Sequence, residues 1–191
     1  LSLCNKNFQN INNNDSSKAK NDLLLDVCYA AKFEGESITD YYPKYEAVYE
    51  GSGSTMCTML ARSFADIGDI VRGRDLYLGN KKKKQTEREK LDKKLKEIFA
   101  KIHDKLGDSI KSNYNDTTDY FQLREDWWTA NRHTVWKAMT CSDKLANYKY
   151  FRATCGGDNE SPSMARDKCR CSDKPNTDPP TYFDYVPQYL R

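Results

Sequence analysis

Histidine is scarce in this chain: His103 and His133 are the only two among 191 residues. A zinc site draws on about four soft ligands at clustered spacing. No C-x-x-C pair stands here to supply half of one, and Cys169 and Cys171, one residue apart, do not. No metal ligand set and no cofactor are therefore assigned. The same shortage leaves no Ser-His-Asp or Cys-His context for nucleophilic catalysis. Asp66 and Asp69 lie three apart on one helix, as an acid–base pair could, but read as solvated or paired carboxylates. His103 reads as a surface imidazole and His133 as a packing residue. Nothing points to an enzyme. No apolar run is long enough to span a bilayer and no signal peptide is evident, so any anchor is expected outside this segment. Phosphate loops fail too: no Lys-Ser/Thr follows the GSGS at 51–54, and the pair Gly68 and Gly73 is followed by Arg74 and Asp75. There is no internal repeat and no convincing alternating strand. The net charge, +3, is too small to argue for nucleic acid from the total alone.

What is present is charge of both signs, aromatic rings and cysteine. Charged residues make up 31% and hydrophobic ones 38%, a balance suited to thin helical bundles with solvated outer faces. Tyrosine is abundant, with 13 copies beside three tryptophans. Seven cysteines stand at Cys4, Cys28, Cys57, Cys141, Cys155, Cys169 and Cys171. Without metal spacing they read as disulfides in an oxidising, extracellular setting. Seven is odd, so at least one is free or pairs with sulfur elsewhere. Spacing leaves the connectivity open; a bond from Cys57 to Cys141, joining two core helices, is one expectation.

Hydrophobic periodicity gives five helices. Residues 1–15 are polar and Asn-rich, a loop carrying Cys4. A helix over 16–33 follows, with Leu24, Val27, Cys28 and Ala31 on one stripe and Gly35 as its stop. A second helix over 37–49 carries Tyr41, Tyr42, Tyr45 and Tyr49 and is interrupted at Pro43. The third, over 55–73, places Leu60, Phe64, Ile67 and Val71 on one side. Its Arg62, Asp66 and Asp69 fall off the stripe, toward water or neighbours, and Arg72 suits the negative end of the dipole. Gly73 supplies the left-handed stop. The fourth, over 85–106, repeats Leu91, Leu95, Ile98, Ile102 and Leu106 and is roughly 33 Å long at 1.5 Å per residue. The fifth, over 120–141, is apolar on two sides, with Phe121, Trp128, Val135 and Met139 on one and Leu123, Trp127, Ala130 and Ala138 on the other. Asn131 and Arg132 among those rings need partners. A short helix from Ser142 to about Phe151 and a Cys-rich irregular loop over 154–180 follow, and Pro187 can open a last helix. The fold class is all-α, a disulfide-linked helical bundle with long irregular loops.

The richest basic stretch surrounds the fourth helix: Lys81, Lys82, Lys83, Lys84, Arg88, Lys90, Lys93, Lys94, Lys96 and Lys101. Lys90, Lys93, Lys94, Lys101 and Lys105 can line one side of it. Glu87, Glu89, Asp92 and Glu97 are interleaved and reduce the field. A row of cations can meet a row of anions in a sulfated glycan such as heparan sulfate. A solvated face with local ion pairs is the competing reading, and nucleic acid would suit the same charges but not the cysteines. N-x-S/T sequons occur at Asn14, Asn115 and Asn159, all in expected loops.

Four blocks carry a resemblance. Residues 61–80 read ARSFADIGDIVRGRDLYLGN, 126–141 read DWWTANRHTVWKAMTC, 150–157 read YFRATCGG and 180–191 read PTYFDYVPQYLR. In this order and spacing they resemble Duffy-binding-like domains of the alpha type, from erythrocyte membrane protein 1, the variant surface antigen of Plasmodium falciparum. The resemblance implies the same mostly helical fold, with 1–191 as the central part of one domain, truncated at both ends. It implies an adhesin on the extracellular face of the infected erythrocyte, anchored by a distant transmembrane segment. Partners would be erythrocyte or endothelial receptors: sulfated glycans, blood-group sugars or complement receptor. Host antibodies would be partners too, and nucleic acid would not. Rosetting is a family activity, but the four cysteines after Asp66 depart from the two-cysteine variety more often linked to it. If the fixed motifs are core helices, receptor choice falls to residues 81–101, 109–118 and 158–179. A structural or antigenic scaffold, whose neighbouring domains bind, is the alternative.

Overall fold

The computed structural model describes residues 19–48, 55–76, 87–156, 161–171 and 179–191, excepting the side chains of 19, 43 and 45–48. Lys81, Lys82, Lys83, Lys84, Cys4, Tyr49 and the GSGS at 51–54 lie outside the described residues.

Helix α1, Ala19–Val48, is one helix where the sequence pattern suggests two. Its buried positions, Leu23, Val27, Ala30, Ala31, Glu34, Ile38 and Tyr42, form one unbroken stripe across the expected stop. Gly35 serves packing there rather than termination. A Cβ at that position would lie 2.0 Å from the backbone oxygen of Met139, so glycine lets α1 cross the end of the helix that Met139 closes at backbone contact. The helix also runs through Pro43 without the expected interruption.

Helix α2, Met56–Arg72, follows the expected bounds closely. The Thr55 hydroxyl accepts from the Thr58 N–H at 3.2 Å and caps its start. Gly73, at φ 74°, donates its N–H back to Asp69 and Ile70 carbonyls and closes the end. Helix α3, Glu87–Asp104, buries Leu91, Leu95, Ile98, Phe99 and Ile102. A single turn, α4 (Asp108–Lys111), occupies the expected loop. Helix α5, Phe121–Met139, turns Trp128 and Trp136 toward Phe64 of α2, with ring centroids 5.1 and 5.2 Å away. Its other side sets Trp127 edge-on to Phe99 of α3 at 6.1 Å. The tryptophans thus reach core on two sides of α5, but Phe121 and Ala130, expected on the two apolar stripes, are exposed. Helices α1, α2 and α5 pack mutually, and α3 lies against all three.

Beyond α5 the structure departs from the sequence reading. The stretch from Ser142 forms a 3₁₀ turn at Asp143–Leu145, not a helix to Phe151. A small antiparallel hairpin follows, β1 (Ala153–Cys155) against β2 (Ser163–Met164). Two disulfides hold it. Cys57 bonds Cys169, and Cys155 bonds Cys171. The expected Cys57–Cys141 bond is absent: Cys141 is free and exposed, and Cys28 is free and half-buried. The chain closes on 3₁₀ turns Phe183–Tyr185, packed on α2, and Gln188–Leu190, directly after Pro187.

Candidate functional site

The α3 row shows how a basic sequence is neutralised by its own fold. Arg88 donates to Asp75 at 2.6 Å and pairs with it. Lys90 pairs with Glu87 one turn earlier at 3.0 Å. Lys96 reaches both Asp119 (2.6 Å) and Asp92 (3.1 Å), and the bond to Asp119 raises its pKa. Lys94 and Lys101, half-buried, are also engaged by neighbours. Lys93 is exposed and takes part in no ion pair among the described residues. Along α3, then, Arg88, Lys90 and Lys96 are held in ion pairs.

The two histidines exchange places relative to expectation. His103 is buried against the Tyr120 ring, its Nε2 3.1 Å from the Tyr114 carbonyl oxygen. That polar partner is what lets an α3 residue on the core side be an imidazole. His133 is exposed on the outer side of α5, because Arg132 takes the inward position beside it. Among the described residues no group of three His, Cys, Asp or Glu side chains is placed to hold a metal ion.

Asp69 and Arg72 do not face water. Both are buried, and Arg72 Nη2 donates to Asp69 Oδ1 at 2.9 Å. Arg72 also donates to its own helix, at Gly68 O (3.1 Å), and to the backbone oxygen of Asp184. Burial lowers its guanidinium pKa. Arg191 pairs with Asp66 and Asp69, and burial raises the Asp66 carboxyl. With both carboxylates committed to guanidinium groups, the pair is not free for proton transfer.

The partner that Arg132 needs is Asp184. Arg132 Nε and Nη2 each donate to that carboxylate at 2.7 Å, and Nη2 also reaches Thr181 O at 2.7 Å. Trp128 Nε1 donates to the same carboxylate at 2.8 Å. Tyr182 and Tyr185 flank the guanidinium with centroids 5.1 and 5.3 Å away. Asn131 donates to Trp127 O at 2.7 Å. Arg124, fully buried, closes the C-terminal end of α2 by donating to Val71 O (2.6 Å) and Ile70 O (3.0 Å), and pairs with Asp92. These residues of the quoted blocks therefore hold α2, α5 and the terminal turns together.

The comparisons agree with that architecture. The sequence matches the Duffy binding domain family over residues 1–191. The chain belongs to that family. It is similar to the solved NTS-DBL1(alpha-1) domain of Plasmodium falciparum membrane protein 1 (PfEMP1), varO strain, at 40% identity and TM-score 0.74. That match covers 98% of this chain and 39% of the other. The NTS-DBL1-alpha and CIDR-gamma double domain of the same strain matches at 40% identity and TM-score 0.73, over 98% of this chain and 25% of that one. A DBLbeta domain of PfEMP1, solved bound to ICAM-1, matches at 31% identity and TM-score 0.59, over 95% and 39% of the two chains. The chain thus spans well under half the length of these solved chains. Curated proteins give no match. Among the described residues no helix is long and apolar enough to cross a membrane.

Proposed function

We propose that this chain is the central portion of a host-receptor-binding adhesin domain, displayed on the surface of the infected erythrocyte by a longer, membrane-anchored antigen. The observation that carries the reading is its membership of a family in which a related domain is solved bound to a host receptor. The internal economy of the fold supports binding over catalysis: the carboxylates Asp66, Asp69 and Asp184 are all committed to arginines. Sulfated glycan is the ligand class that the basic stretch of Lys81, Lys82, Lys83, Lys84, Arg88, Lys90, Lys93, Lys94 and Lys101 would take. Blood-group sugars and complement receptor are the other receptor classes of this reading, and rosetting is its further activity.

A scaffold role, with binding done by neighbouring domains, is favoured by one feature, the internal pairing of Arg88, Lys90 and Lys96. Retention on heparin across a salt gradient separates the two. Wild type is compared with a variant carrying alanine at 81–84 and at Lys93 and Lys94, each shown folded by circular dichroism. Exposed charges are screened over about 8 Å at physiological salt. Elution of wild type well above that ionic strength, lost in the variant, is expected of the glycan reading. Wild type that washes through at physiological salt moves the search to protein or neutral-sugar receptors.

A further inference from the structure

A cleft opens where the end of α2 meets the terminal 3₁₀ turns. Its volume is about 170 Å³, and its walls include Leu76, Tyr185, Val186, Pro187 and Tyr189. Three of these face water: Tyr189 is 73% exposed, Leu76 63% and Tyr185 42%. Leu190, next along the chain, is exposed as well. Apolar residues scattered singly over a surface need no explanation, but a group of them around a concave site marks a contact with another surface.

The polar groups of the cleft are already engaged from within. Arg72 donates to Asp69 Oδ1 at 2.9 Å, and the Asp184 carboxylate accepts from Arg132 and Trp128. Arg74 pairs with Glu125 at 2.6 Å. Gln188 accepts from the Leu76 N–H at 2.9 Å and donates to Asp75 at 3.3 Å. The Tyr185 and Thr129 hydroxyls share a hydrogen bond at 3.0 Å. A sugar or a charged ligand would have to take these partners away. An apolar side chain displaces only water from the Leu76, Val186 and Tyr189 walls, an exchange that the hydrophobic effect favours. The occupant that fits is a packed segment of polypeptide.

Two observations say which polypeptide. The chain covers 39% of one solved relative and 25% of another, so more than half of each such molecule lies outside these 191 residues. The last residue is also held beside the cleft. Arg191 pairs with Asp66 and with Asp69, which lines the cleft, and its side chain is 3% exposed. In a longer antigen, polypeptide continuing from that point starts next to Tyr189 and Leu190, at high effective concentration. We infer that the cleft is a seam that receives an apolar side chain from the polypeptide beyond Arg191. The inference rests on the reading of this chain as part of a longer antigen, and it makes this face an internal contact of that antigen rather than a receptor surface.

The test compares the 191-residue chain with the parent antigen's domain extended past Arg191 to the length of the solved relatives. The probe is tetranitromethane, which nitrates accessible tyrosine rings, with the sites read by mass spectrometry. Tyr189 is expected to react readily in the 191-residue chain and several-fold more slowly in the extended protein. L76K/Y189K, checked by circular dichroism, should leave the thermal midpoint of the 191-residue chain within about a degree of wild type. The same variant should lower the midpoint of the extended protein by several degrees. One rate of Tyr189 nitration in both proteins would overturn the inference and leave the cleft to a separate partner. So would an equal loss of midpoint in both, which would assign Leu76 and Tyr189 to the fold of the 191 residues alone. Sedimentation of the wild-type 191-residue chain as a dimer, with L76K/Y189K monomeric, would overturn it in favour of a second copy. Binding of the extended protein to erythrocytes and endothelial cells is scored separately: its absence sinks the adhesin reading and leaves the nitration result to decide the seam.

Discussion

Asp184 takes three side-chain donors at once, two from Arg132 and one from Trp128, in a site with almost no solvent. Charge-assisted bidentate bonds of this kind are strong, and removing one partner strands the other. Asp184→Asn keeps the shape and removes the charge, leaving Arg132 buried without its counter-ion. A loss of about 3–5 kcal/mol is expected, the range for breaking a buried pair. Urea unfolding would show it as a lower midpoint at an unchanged slope. A loss under about 1 kcal/mol would mean that the Tyr182 and Tyr185 rings and Thr181 O alone satisfy Arg132. The need for a partner was readable from Arg132 among tryptophans. Its identity was not, because the partner lies 52 residues further along and local spacing has no bearing on it.

Helices α2 and α5 were legible because their apolar stripes, and the Gly73 stop of α2, are local. The continuity of α1 was not, because Gly35 answers to the Met139 carbonyl, a contact made in three dimensions. The hairpin escaped because strands of three and two residues are too short to show alternation. The start of α5 holds a device of the same hidden kind. Tyr120, before the first turn, offers no side-chain cap and sits at φ 58°. Asp116 supplies the acceptors instead, taking the N–H groups of Thr118, Asp119 and Phe121 at 3.1 Å each. The Asp119 and Phe121 bonds, then that from Thr118, hold its carboxyl below the ordinary value of 3.8. A depressed acid stabilises the fold fully above its unfolded value and loses that contribution as pH falls through the folded one. Asp116→Asn should therefore lower the thermal midpoint at pH 7. The gap from wild type should shrink below about pH 4, as the wild-type carboxylate takes up its proton. A gap that stays constant between pH 7 and pH 2.5 would show that geometry, not charge, does the capping.

At the scale of the whole molecule, the two disulfides among the described residues close loops of very different size. Cys57–Cys169 spans 112 positions and ties the start of α2 to the segment after β2; Cys155–Cys171 spans 16. Oxidising cysteine usage could be read from composition, but pairing could not, since spacing fixes no connectivity among seven thiols. If loop closure in the unfolded chain dominates, removing the long bridge costs about 4–5 kcal/mol and the short one about 3 kcal/mol. Against a typical net stability of about 5–15 kcal/mol, the first loss can leave the chain marginal. Burial adds to the same ordering: Cys57 and Cys169 are both fully buried, and Trp136 Nε1 donates to the Cys169 carbonyl at 3.1 Å. The measurement is urea unfolding of C57A/C169A beside C155A/C171A, with the midpoint of each compared to wild type. The first is expected to fall further and to weaken the α2–α5 core, reported by Trp128 and Trp136 fluorescence. The second should leave that signal native and loosen the hairpin alone. Equal losses from both would show that loop closure is a minor part of what these bonds contribute. Contacts around each sulfur would then set the cost, and the short bridge would be as necessary to the bundle as the long one.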